Sequence, residues 1–187
     1  MKMKNLKLLP VLFIASLLFI ACSNDDDATP LPVNEEEVIT TLTVTLTPDD
    51  GGTPIELQTR DLDGDGPNAP VITVLGNLNA GVTYNGNIIL LNETVNPAEN
   101  ITTEVEEEAE EHQFFYTIGD GLDATTTYTN FDGNGNPLGT QFTLITGAVS
   151  SGNITFTLRH EPTKPNTGLV DAGGETDVAA TFNVIIE

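Results

Sequence analysis

The sequence predicts a mainly β protein, an antiparallel immunoglobulin-like β-sandwich of about eight or nine strands with one short acidic helix. Three observations lead there. Apolar and polar residues alternate over short runs, clusters of Asp, Asn and Gly separate those runs at near-regular intervals, and threonine is abundant while tryptophan is absent. An open barrel is the alternative way to close the same set of strands.

The first strand follows Val38, with Leu42, Val44 and Leu46 on one face and Thr41, Thr43, Thr45 and Thr47 on the other. Further β runs are expected at 55–59, 71–75, 82–91, 113–118, 125–130, 141–145, 154–160 and 178–186. Turn chemistry lies between them at 49–52, 63–66, 132–137, 150–152 and 172–174. One stretch breaks the alternation. Ile101, Val105 and Ala109 recur every four residues among glutamates, with Thr102 or Thr103 placed to cap, and predict a short helix over 101–111 on the rim. Repulsion between glutamates four apart makes an acidic loop the competing reading.

Ahead of the sandwich, Lys2, Lys4 and Lys7 precede the apolar run 8–20 and then Ala21-Cys22, the order of an export signal ending at a cleavage site. Residues 18–22, Leu-Phe-Ile-Ala-Cys, resemble the lipobox of bacterial lipoproteins. That resemblance implies a signal peptide over 1–21 and acylation of the Cys22 thiol, with Phe19 departing from the usual aliphatic residue. An ordinary secretory signal with a chance cysteine is the plainer reading, but Cys22 is the only cysteine in 187 residues. With that thiol acylated, no disulfide is available and the fold rests on its core. Residues 22–37 are polar, acidic and contain proline, as expected of a lipidated tether, leaving a single domain over 38–187.

The run of acids after Cys22 also resembles the surface-export signal of Bacteroidota lipoproteins, implying the outer membrane and its cell-surface face. A solvated linker would have the same composition. More widely, Asp61-Leu62-Asp63-Gly64-Asp65-Gly66-Pro67, Glu111-His112-Gln113-Phe114-Phe115-Tyr116 and Arg159-His160-Glu161-Pro162 resemble a group of Bacteroidota lipoproteins with no assigned activity. Such proteins sometimes bear the label of a type 1 periplasmic binding fold. That fold needs repeated strand-helix units, whereas these strands are joined mostly by turns, so a solute receptor's function does not transfer.

Charge excludes some partners. Beyond the signal, only Arg60, Arg159 and Lys164 face 28 carboxylates, a surface that repels nucleic acid and anionic membrane while favouring cations. Catalysis has little to stand on. The serines past the signal are Ser23, Ser150 and Ser151, in a tether and an expected turn, so no nucleophilic triad suggests itself. The expectation is a non-catalytic binding or structural module of the envelope.

Two constellations could bind a metal. Asp61, Asp63 and Asp65 with Gly66 fit the opening of a calcium loop, but the twelfth position is Ile72 rather than a closing glutamate. An ordinary Asp/Gly turn fits equally. The second is the pair of histidines. His112 shares a strand face with Phe114, Tyr116 and Ile118, and His160 shares one with Ile154, Phe156 and Leu158. Three successive hairpin reversals between them would put both at one end of the sandwich, beside Glu111 and Glu161. Paired histidines can hold zinc, copper or a haem iron, and the lipoprotein resemblance includes histidine-ligated haem carriers. The alternative is two boundary histidines hydrogen-bonded to backbone or carboxylate.

Overall fold

The computed structural model describes residues 37–187 except Asp65; Cys22, the signal and the tether up to residue 36 lie outside the described residues. Ten strands and two short helices follow in the order β1 Thr41–Pro48, β2 Ile55–Arg60, β3 Val71–Leu75, β4 Thr83–Asn92, β5 Glu99–Asn100, α1 Ile101–Glu107, β6 His112–Ile118, β7 Ala124–Tyr128, β8 Gln141–Thr146, β9 Ser150–His160, α2 Leu169–Ala172 and β10 Glu175–Ile186. They form a β-sandwich. The larger sheet runs β3-β2-β1-β4-β8-β7, with β5 paired to β4, and the smaller runs β10-β9-β6; all ladders between named strands are antiparallel.

The nine expected strands are all present, and the tenth is the two-residue β5. Expected as one helix, the helical content is two. α1 ends at Glu107 rather than Glu111, and α2 is a single turn over Leu169–Ala172. The cap of α1 is Asn100, whose side chain accepts from the Thr102 amide at 3.1 Å. Thr102 turns inward instead, and its hydroxyl accepts from the Leu90 amide at 2.7 Å, pinning the helix to β4. The turn expected at 150–152 is inside β9. Gly152 is small for a packing reason: a Cβ there would crowd Leu122.

Alternation gives the core. Leu42, Val44 and Leu46 of β1 and Ile88 and Leu90 of β4 are fully buried, facing Phe114, Phe156, Leu158 and Phe182 of the smaller sheet. Tyr116, Phe142, Phe156 and Phe182 form a chain of rings 4.6, 5.6 and 6.0 Å apart across the interior, distances at which aromatic pairs attract. Gly86 lies opposite Phe142 in the β4–β8 ladder, and a Cβ at Gly86 would overlap the Phe142 ring.

A bidentate ion pair closes the end of β2. The Arg60 guanidinium donates to the two Glu93 oxygens at 2.9 and 2.7 Å, and the Thr41 hydroxyl also donates to Glu93. These bonds, Arg60 first and Thr41 second, hold the Glu93 carboxyl down to about 2. Because the folded value lies below the ordinary one, this contribution to stability is present above about pH 4.5 and is lost as pH falls towards about 2. A carboxyl-carbon NMR titration should find the Glu93 midpoint near 2, and Arg60→Met should raise it.

Candidate functional site

Between β6 and β9 the chain runs up the smaller sheet, crosses to the larger sheet for the β7–β8 hairpin, and crosses back. Simple hairpin succession is therefore not the route, although three reversals remain. Its consequence is closer than shared placement at one end: β6 and β9 are direct antiparallel neighbours, and His112 stands opposite His160 in their ladder. The rings lie 4.6 Å apart between centroids, tilted by 43°.

Two further residues complete a buried quartet. Glu37, just ahead of β1, places Oε1 at 2.9 Å from His112 Nε2 and Oε2 at 3.4 Å from His160 Nδ1. Asp177 of β10 places Oδ2 at 3.9 Å from the same His112 nitrogen and Oδ1 at 3.7 Å from that of His160. Each carboxylate thus spans both rings. All four side chains are between 0 and 4% exposed, and one ligand atom from each lies within 4.8 Å of those from the others.

Local structure explains why these side chains converge. Antiparallel register brings His112 and His160 onto one face. Asp177 is the extra residue of a β-bulge, since Thr176 pairs with Arg159 and Val178 with Leu158. Plain alternation would turn Asp177 outward, opposite to buried Ala180 and Phe182; the bulge re-aims its side chain into the interior. Lys164 holds the His112 backbone from behind. Its ammonium donates to the carbonyls of Ala109 at 2.7 Å and His112 at 2.6 Å and sits 3.3 Å from Asp132 Oδ2.

Hydrogen bonding fixes the His112 ring. Its Nδ1 lies 3.2 Å from the Glu108 carbonyl, which can only accept, so Nδ1 is the donor. In the neutral ring Nε2 then carries the lone pair, aimed at Glu37. Two electron-rich atoms face each other unless a cation, proton or metal, lies between them. His112 Nε2, His160 Nε2 and Glu37 Oε2 are buried without a well-formed hydrogen bond, which costs free energy in a dry site. The surroundings add negative potential. Glu104 of α1 is pushed above the usual carboxylate range by desolvation and then by the charges of Glu108, Glu37 and Glu99.

Sequence reasoning reached the two histidines and the flanking Glu111 and Glu161, which do cluster beside His160. It missed Glu37, read as part of the tether, and Asp177, which alternation assigns to the outer face. In the aspartate loop, Asp65 lies outside the described residues. Asp61 Oδ1 accepts from the Asp63 amide at 3.3 Å, while Asp63 accepts from the Asn68 side chain at 2.7 Å and the Asn68 amide at 3.3 Å. Those bonds, the Asn68 side chain first, keep Asp63 below its ordinary pKa. Among the described residues, the groups close enough to share an ion do not include Asp61 or Asp63. Both carboxylates hold the turn itself.

Comparison of the chain with protein-family models, with curated proteins and with solved structures yields no match. The quartet therefore has to be read from its own chemistry.

Proposed function

We propose that this protein is a lipid-anchored, non-catalytic module of the bacterial outer membrane whose β-sandwich binds one divalent transition-metal ion, of the zinc type, through Glu37, His112, His160 and Asp177. The observation that carries the reading is the spacing of the four ligands. Two ligands about 2.0–2.1 Å from a tetrahedral zinc stand about 3.3 Å from each other; each histidine nitrogen lies 2.9 to 3.9 Å from the nearer oxygen of each carboxylate, a different oxygen for each ring, and one ligand atom from each of the four residues lies within 4.8 Å of the others. Turning each carboxylate so that one oxygen faces both rings admits an ion.

Chemistry narrows the choice. Imidazole nitrogens favour zinc, copper, nickel or iron over calcium and magnesium. Two carboxylates balance a divalent charge, so the filled site is electroneutral, as a buried site must nearly be. The carbonyl of Glu108 behind His112 is the outer-shell partner that fixes a metal-binding tautomer. Haem is a poor fit, because rings 4.6 Å apart and almost wholly buried leave no slot for a porphyrin.

Elemental analysis of protein purified without chelator tests the metal reading. One equivalent of a transition metal is expected, falling to background in His112→Ala and His160→Ala. Background metal in the unaltered protein, together with no uptake on dialysis against zinc, contradicts it.

Anchoring rests on Cys22 and the basic and apolar residues before it. Cys22→Ala is expected to move the protein from the detergent phase to the aqueous phase while leaving the circular dichroism of the sandwich unchanged. Continued partitioning of the alanine form with detergent would remove the lipid anchor from the account.

A further inference from the structure

Building on that metal reading, we propose that the ion is a resident structural one, and that it fastens the segment ahead of β1 to the smaller sheet in the way a disulfide would. Three ligands, His112, His160 and Asp177, sit on β6, β9 and β10 of the smaller sheet. The fourth, Glu37, belongs to the segment that leads into β1 of the larger sheet. One ion therefore ties the two sheets together at this end.

The site is closed. Four protein ligands fill a tetrahedral shell, and side chains that are 0 to 4% exposed leave no position for water or substrate. Structural zinc sites have this character, whereas catalytic ones keep a position open. A cross-link by other means is not at hand, since the one cysteine of the chain is Cys22.

Ahead of Thr40, whose carbonyl accepts from the Asp61 amide at 2.7 Å and whose hydroxyl donates to the Leu91 carbonyl at 3.0 Å, the leading segment has few other holds. Backbone pairing to the sandwich is in place at Thr40, whose amide donates to the Leu91 carbonyl at 2.9 Å and whose hydroxyl accepts from the Glu93 amide at 2.8 Å. Ile39 packs against the core, but Val38 is about half exposed. Alongside runs a groove of about 550 Å3 lined by Val38, Ile39, Thr59, Asp61, Asp177 and Val178. Asp177 is part of its wall with a side chain only 2% exposed, so the ion enters or leaves when residues 37–39 lift. Binding and closure are then one event, and Glu37 is the ligand whose loss uncouples them.

Amide hydrogen exchange on the full chain in detergent, with zinc as the probe and with chelator, tests this. Zinc is expected to slow exchange over 38–41 roughly tenfold or more, since local opening there must first release the ion. Glu37→Gln should abolish that protection and weaken zinc binding by at least about 10–100-fold, the loss that follows even when a group that only supports a ligand is removed, while the two histidines still register the ion in their NMR shifts. Zinc held through the histidines with unchanged exchange over 38–41, or with full affinity in Glu37→Gln, overturns the fastening and leaves the metal reading standing. No zinc binding by the unaltered chain overturns both.

Discussion

Zinc is expected to raise the melting temperature of the full chain by about 5–10 °C when its free concentration is a hundredfold above Kd. At that ratio mass action contributes about 2.7 kcal/mol, and a domain of this size gains about 2–4 °C per kcal/mol. The sign follows from binding to the folded state alone, because the quartet draws on residues as far apart in sequence as Glu37 and Asp177 and does not exist in the unfolded chain. Scanning calorimetry with zinc and with chelator measures it. His112→Ala and His160→Ala should melt at the same temperature in both conditions. A zinc shift that survives both substitutions would place the ion elsewhere.

Lys164→Met is expected to destabilise the protein by about 3–5 kcal/mol, the cost of leaving a buried charge without its partner. The Lys164 side chain is 6% exposed and that of Asp132 is 1% exposed. Removing the ammonium takes the donor from the Ala109 and His112 carbonyls and the counter-charge from Asp132 together. Asp132 keeps bonds from the Asn134 and Asn136 amides, so its loop persists while its charge stands uncompensated. Urea denaturation reads the loss. Since the same ammonium holds the His112 backbone, zinc affinity should fall as well. A midpoint within experimental scatter of the unaltered protein would show that the ammonium contributes nothing net.

Most of the sandwich is legible in the sequence because burial on one face imposes a period of two, and the strands keep it. Leu42, Val44 and Leu46 announce β1, and Phe114 with Tyr116 announce β6. What misleads is residue chemistry that serves two purposes. Ser150-Ser151-Gly152 has turn composition, yet it pairs with Val184 to Ile186 in β10, and the glycine is there to clear Leu122. The β5 strand of two residues and the single-turn α2 are too short to carry any period.

The site is half legible for related reasons. Counting chain reversals places His112 and His160 at one end, but a count cannot say that the intervening hairpin belongs to the other sheet, which is what makes the two strands neighbours. Asp177 is hidden by its bulge, since one extra residue shifts the alternation without leaving a compositional mark. Glu37 is hidden by company: it ends a run of three glutamates that reads as tether, and nothing in its composition marks it as the one beside His112 and His160.

X-ray absorption at the zinc edge of the zinc-loaded full chain counts and identifies the atoms around the ion. Four nitrogen or oxygen neighbours at about 2.0 Å are expected, with the outer-shell scattering of two imidazoles. A shell of six oxygens, or a spectrum without imidazole scattering, would contradict the four-ligand site.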